Sequence, residues 1–250
     1  MMYVGRVAVV TGGASGMGAS ICEHLARRGD RVAVLDVNGD AAQQMAENLR
    51  GRGAQAMSCA VDVSDRAAVE ETLAQVRGEL GPVEIMVTSA AISRWEAFGE
   101  IPLDSWERVL AVNLTGTFHC LQAAIPDMVA AGWGRIVTIT SSAVQIMTSN
   151  HAHYVASKGG VVALTRAVSS EYAQLGITAN TIAPHIIDTP MLRQARAELG
   201  DPTGDGGASR IPVGRLGTGD DIAAACLYLC SEEASYITGQ LFGVNGGAVA

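Results

Sequence analysis

Tyr154 and Lys158 stand four residues apart and are the pair in this chain best suited to acid/base chemistry. Lys158 is the one lysine among seventeen lysine and arginine residues, so a compact ammonium occurs here where the chain otherwise uses a guanidinium. A guanidinium stays charged and presents a planar fork; an ammonium is a point charge on a flexible stem. Residues i and i+4 of a helix share a face, so phenol and ammonium can address one site. A neighbouring cation favours phenolate and lowers a tyrosine pKa from about 10. The pair is therefore a candidate general acid/base near neutral pH. Tyr-x-x-x-Lys also arises by chance on helix surfaces, so the reading depends on the elements around it.

Those elements alternate. Short β-branched runs at 6–11, 31–36, 55–60, 83–89, 135–140, 177–183 and 240–244 read as strands buried on both faces. Helical patterns fall near 16–29, 39–51, 65–80, 103–130, 152–175 and 219–230. The order predicts an α/β fold: one domain spanning 1–250, with a doubly wound, mostly parallel seven-stranded sheet and helices on both faces. Its ligand crevice then lies at the carboxyl ends of the strands. The segment 190–217, which contains Gly200-Asp201-Pro202-Thr203-Gly204-Asp205-Gly206-Gly207, predicts a mobile loop placed as a lid.

The first strand runs into Thr11-Gly12-Gly13-Ala14-Ser15-Gly16-Met17-Gly18 and then a helix. Glycines at this spacing let the backbone turn tightly and approach a pyrophosphate at the helix N-terminus. Asp36 ends the second strand, where a carboxylate accepts hydrogen bonds from ribose hydroxyls and repels a 2′-phosphate. Neither Ala14, Ser15 nor Val37 brings a basic group to offset that repulsion, so the expected cofactor is NAD. Asp62-Val63 after the third strand suits the amine edge and flat face of adenine; an aspartate merely opening a loop is the competing reading.

Composition narrows the partners. A net charge of −8 and a pI near 5.1 speak against nucleic acid, and no apolar run has the length of a membrane span. No signal-peptide pattern opens the sequence, so a cytoplasmic protein acting on a small molecule is expected. Five scattered cysteines form no C-x-x-C pair and read as apolar filler. His151, His153 and His185 can converge on one pocket and meet a polar or anionic substrate; no metal site is expected, since a further ligand would be required. Trp95, Phe98, Ile146 and Met147 hint at an apolar wall, although core packing explains each singly.

Taken together, the glycine turn, Asp36, Asp62-Val63, Asn113, Ser141, Tyr154, Lys158, Ile187-x-Thr189 and the glycine-rich C-terminus resemble the short-chain dehydrogenase/reductase family over nearly the whole chain. The resemblance implies a Rossmann-type domain, a nicotinamide cofactor and oxidation of an alcohol or reduction of a carbonyl. It implies Tyr154 as acid/base, Lys158 as its partner and holder of the nicotinamide ribose, and Ser141 as the group orienting the substrate oxygen, with Ser142 as rival. It makes Asn113 the asparagine that holds a proton-relaying water. The cofactor set it implies is Gly12, Ser15, Gly16, Met17, Gly18, Asp36, Asp62, Val63, Ala90, Tyr154, Lys158, Pro184, Ile187 and Thr189. Ser141, His153 and His185 are the expected substrate contacts, and a homotetramer built on the helices near 103–130 and 152–175 is expected. Two departures stand out. Thr88-Ser89-Ala90-Ala91 replaces Asn-Asn-Ala-Gly, which predicts a local backbone shift at Ala91, and Pro184-His185 replaces Pro-Gly. The leading activity is an NAD-dependent secondary-alcohol dehydrogenase; the alternatives are a 3-oxoacyl-thioester reductase and, remotely, a cofactor sensor without turnover.

Overall fold

The computed structural model describes residues 5–200, 205 and 207–249. Its sheet has seven strands: β1 Val7–Thr11, β2 Arg31–Asp36, β3 Ala56–Ala60, β4 Ile85–Thr88, β5 Gly134–Ile139, β6 Ile177–Pro184 and β7 Leu241–Val244. Spatially they run β3-β2-β1-β4-β5-β6-β7. Every pairing is parallel, where the sequence predicted mostly parallel. The order reverses between β1 and β4, which opens a crevice beyond their carboxyl ends.

The described residues form eight α-helices: α1 Gly16–Arg28, α2 Gly39–Gly51, α3 Arg66–Glu79, α4 Leu103–Leu110, α5 Gly116–Ala131, α6 Ala152–Tyr172, α7 Pro190–Leu199 and α8 Gly219–Leu229. Alternate strand residues point to opposite faces, so Val7 and Val9 join one core while Ala8 and Val10 join the other. The first core takes Leu73, Leu121, Met128 and Val168 from α3, α5 and α6; the second takes Ile21, Leu49 and Ile222 from α1, α2 and α8. Both faces are dry, which is why the strands read as apolar runs without alternation. All five cysteines are buried in these layers.

Two expected elements differ. The helix predicted across 103–130 is interrupted by a π turn at Ala111–Thr115. Such turns take in an extra residue and collect at functional sites; this one carries Asn113. The loop predicted at 190–217 begins instead as α7. Pro190 starts that helix, and the Thr189 hydroxyl accepts from the Leu192 amide at 3.3 Å, so local capping overrides the glycine-rich sequence downstream. Farther on, Asp205 accepts from the amides of Gly207 and Ser209, and Ile187 bridges to Gly217. The part of the expected loop at 201–204 and 206 lies outside the described residues.

Candidate active site

The cleft at the β1/β4 reversal has two ends joined by Met17, Thr189 and Met191, which line both. The first end is built chiefly from backbone. Gly12 has φ +64°, and a Cβ there would lie 2.8 Å from the Ala90 backbone. A Cβ on Gly18 would overlap the Gly12 carbonyl oxygen, so α1 can start this close to the turn only without a side chain. Gly12, Ser15, Gly16 and Met17 line the cleft; Gly18 lies behind them and sets the packing distance. Asp36, Asp62, Val63 and Ala90 complete this end. The space that the missing side chains leave beside a helix N-terminus fits a pyrophosphate, and Asp36 lies where a ribose would follow.

Asp36 accepts from the amides of Ala14 at 3.2 Å and Asn38 at 3.0 Å, which ties it to both the glycine turn and the start of α2. Asp62 was expected to meet adenine, and it does line the cleft. It also holds Ser64 and the Arg108 guanidinium, the latter at 2.9 Å. Burial would raise its pKa, but those hydrogen bonds and the cation keep it below the usual carboxylate range. Arg108 was not foreseen from sequence. It is the basic side chain in this end of the cleft among the described residues, and Asp62 and Ser64 engage it.

The backbone shift expected at Ala91 resolves simply. Asn150 is the one non-glycine with positive φ among the described residues, so Ala91 avoids the left-handed region altogether. The Ser89 and Ala90 amides both donate to the Thr11 hydroxyl at 3.2 Å, which anchors the altered Thr88-Ser89-Ala90-Ala91 segment to the glycine turn.

The second end is built from side chains delivered by separate elements. β5 ends at Ile139, and Ser141 and Ser142 follow in the turn beyond it. Tyr154 comes from the first turn of α6 and lines the cavity with Ser141, which lies close enough to the phenol to lower its pKa. Ser142 turns instead to His185, with 2.7 Å between its hydroxyl and Nδ1. The rivalry between the two serines thus resolves by direction, with Ser141 beside the phenol. Lys158 is buried one helical turn on; its Nζ donates to the Ile139 carbonyl at 2.8 Å and lies 5.8 Å from the Tyr154 ring centroid.

Burial dominates the electrostatics here. It pushes the Tyr154 phenol above its ordinary value, with the Ser141 hydroxyl opposing it. Burial also pulls the Lys158 ammonium down, to about 8, and the Ile139 carbonyl holds its Nζ. Pro184, Ile187 and Thr189 lie along this end as expected.

Asn113 is fully buried. Its Oδ1 accepts from the Ile92 amide, and its Nδ2 donates to the Ile92 carbonyl and the Ser157 hydroxyl, each at 2.9–3.0 Å. Ser157 in turn donates to the Tyr154 carbonyl. Both side-chain N–H groups are therefore spent on protein partners. Asn113 clamps the strand-end loop to α6, and its side chain keeps no N–H for the water expected of it.

The histidines separate. His153 is fully buried against Glu96, with 2.9 Å between Nε2 and the carboxylate, and it does not line the cavity. It is not placed to touch a substrate. His151 takes that position: its ring stacks on Tyr154 at 4.2 Å and on Trp95 at 4.1 Å, and its Nε2 meets the Ser93 hydroxyl at 2.8 Å. Burial, then the neighbouring His153, lower His151 to about 4, so it is neutral at working pH. His185 lines the cavity, and burial lowers it too. Trp95 and Ile146 form part of the wall, whereas Phe98 and Met147 face solvent. Glu96, Ser93 and Trp95 reach the site across more than fifty residues, a separation that carries no local signal.

Comparison with known proteins places the chain in a family. A family model described as enoyl-(acyl carrier protein) reductase matches residues 12–249. D-threitol dehydrogenase of Mycolicibacterium smegmatis is 37% identical over 243 residues, covering 97% of this chain and 92% of its own. A Sphingomonas 2-dehydro-3-deoxy-L-rhamnonate dehydrogenase (NAD(+)) is 37% identical over 98% of this chain and 96% of its own. The 3-oxoacyl-acyl-carrier-protein reductase FabG of Salmonella typhimurium is 35% identical over 99% and 98%. A crystal structure of an actinorhodin polyketide ketoreductase variant with NADPH superposes with a TM-score of 0.95 at 32% identity, covering 99% of both chains. The chain belongs to the short-chain dehydrogenase/reductase family of oxidoreductases.

Proposed function

We propose that the protein is an NAD-dependent dehydrogenase of a small secondary alcohol, or reductase of the matching ketone. The observation that carries the reading is Ser141 and the Tyr154 phenol lining one cavity, one helical turn from buried Lys158, in a cleft continuous with Asp36. The bound dinucleotide would supply the hydride acceptor, and its oxidised ring a positive charge that favours phenolate. Tyr154 then takes the hydroxyl proton of the alcohol, and Ser141 donates to the oxygen as a carbonyl forms. Lys158 stands behind this lining, one helical turn from Tyr154 with Nζ 5.8 Å from the phenol ring centroid, and is the group to hold the nicotinamide ribose.

NAD is preferred over NADP because Asp36 would meet a 2′-phosphate with like charge, and Arg108 is already engaged by Asp62. A 3-oxoacyl-thioester reductase is the second reading, favoured by the FabG relatives and by the ketoreductase with NADPH. The sensor reading is set aside, since Ser141, Tyr154 and Lys158 are all retained and Ser141 and Tyr154 line one cavity. Among the described residues no helix is long and apolar enough to cross a membrane. We further propose a homotetramer on α5 and α6, where Phe118 and Val129 expose apolar surface; light scattering of the purified protein tests it.

The activity test is nicotinamide absorbance with NAD and NADP, in parallel, over secondary alcohols, ketones and an acetoacetyl thioester. NAD-linked turnover of an alcohol is the expected result. A higher kcat/KM with NADP overturns the cofactor assignment, thioester reduction above all other activities favours the second reading, and no turnover anywhere ends both.

A further inference from the structure

The catalytic end of the cleft encloses about 320 Å³ and, among the described residues, no Asp, Glu, Lys or Arg lines it. Its polar lining consists of hydroxyls and two imidazoles. Beyond Ser141 and Tyr154, the mechanism above leaves two hydrogen-bonding pairs in the lining unused: Ser93 with His151, whose Nε2 is taken by Ser93 and whose ring stacks on Trp95 and Tyr154, and Ser142 with His185, 2.7 Å apart. His185 Nε2 makes no hydrogen bond to any described residue, although the ring lines the cavity. The Thr148 hydroxyl, in the same lining, is buried without a partner. The remaining wall, with Trp95, Ile146, Ile186 and Leu192, is apolar.

Resting on the dehydrogenase reading, we propose that the substrate is an uncharged vicinal diol, or the matching α-hydroxy ketone, on an apolar carbon frame, and that His185 reads its second hydroxyl. Ser142 fixes the imidazole. If the Ser142 hydroxyl donates to Nδ1, then Nε2–H is a donor; if Nδ1–H donates to Ser142, then Nε2 is an acceptor. A hydroxyl pairs with either form. A carboxylate pairs with only one, and it would enter a cavity whose lining side chains offer it no counter-charge. Burial holds both imidazoles neutral, so neither supplies that charge. A plain mono-ol, conversely, leaves the His185 nitrogen and the Thr148 hydroxyl desolvated and unmatched, which a site built to bond a hydroxyl penalises. The chemistry stays balanced: one carbinol gives its C–H as hydride to the nicotinamide and its O–H proton to Tyr154, while the second hydroxyl is unchanged.

The test uses the whole enzyme with NAD and two matched series: cyclohexanol, 1,2-cyclohexanediol and 2-hydroxycyclohexanecarboxylate, then 2-butanol, 2,3-butanediol and 3-hydroxybutanoate. In at least one series kcat/KM for the diol is expected to exceed that for the mono-ol by about tenfold or more, with the acid lowest. In His185→Ala and, independently, Ser142→Ala, that diol-to-mono-ol ratio falls toward one. Preference for the mono-ol or the acid in the native enzyme, or a ratio unchanged in both variants, overturns the inference while leaving the dehydrogenase reading intact. No turnover of any of the six with either NAD or NADP removes the reading on which it rests.

Discussion

The two ends of the cleft are made by opposite means. The dinucleotide end owes its shape to atoms the sequence leaves out: Gly12 and Gly18 permit contacts that one methyl group would forbid. The catalytic end owes its shape to atoms supplied from β5, β6, α6 and the loop after β4, each held by a partner from another element. A site made of omissions fails when something is added; a site made of contributions fails when something is removed. That asymmetry is testable at both ends.

The largest effect is expected from removal. Tyr154→Phe keeps the ring stack and deletes the proton carrier, so kcat should fall by about a thousandfold, within the usual range for general acid/base groups, with the melting temperature nearly unchanged. Turnover near the native level would end the assignment. Addition comes next: Gly18→Ala forces a Cβ into the Gly12 carbonyl, which should cost about 1–3 kcal/mol of stability and weaken NAD binding with it. If calorimetry finds the variant as stable and as tightly bound as the native chain, the omission argument is wrong for this turn.

Lys158 gives a pH-dependent test of comparable size. Its folded-state value of about 8 lies below the ordinary 10.5, so the folded protein carries a penalty at all pH values below about 8 that fades as pH rises toward 10.5. Lys158→Met, though catalytically impaired, should therefore be more stable at pH 7, with an advantage of up to roughly 3 kcal/mol that shrinks as pH rises. Urea unfolding of both proteins between about pH 7.5 and 9.5 measures it; a difference that does not vary with pH contradicts the assignment.

Asp36→Ala is a smaller change. It should lower kcat/KM with NAD by about tenfold and raise it with NADP, from lost ribose hydrogen bonds and relieved repulsion. An unchanged ratio would detach Asp36 from cofactor choice. The smallest effect falls on the stack. Aromatic pairs contribute about 0.5–1.5 kcal/mol, so His151→Ala should cost kcat roughly tenfold or less, and His151→Phe should recover most of it. Failure of phenylalanine to rescue would shift the role of His151 from stacking to its Ser93 hydrogen bond.

The same asymmetry explains what could be read from the chain. The glycine turn, Asp36 and the Tyr154–Lys158 spacing are local patterns, each complete within one strand–turn–helix or one helical turn. Strands β1 to β6 were legible because they are largely buried and so run apolar; β7, at the sheet edge, is only half-buried. The π turn at Ala111–Thr115 was not, because an extra residue in a helix leaves composition unchanged. Nor were Ser142–His185, Ser93–His151 and Arg108–Asp62, whose partners lie 43, 58 and 46 residues apart. His153 was misplaced for a related reason: two histidines at i and i+2 of a helix start point to different sides, and only the fold says which side is the cavity. Residues 190–199 were read as part of a loop, yet one cap and one proline, which start α7, outweighed the glycines beyond them.

Trp95, one of three tryptophans in the chain, has its indole face laid on the His151 ring. That contact gives the enzyme a built-in optical gauge. A molecule seated against the wall must disturb the indole's surroundings, so its emission reports occupancy of the catalytic end without any label, while Trp133, held against the Arg6 and Arg135 guanidiniums away from the cleft, serves as the steady internal reference.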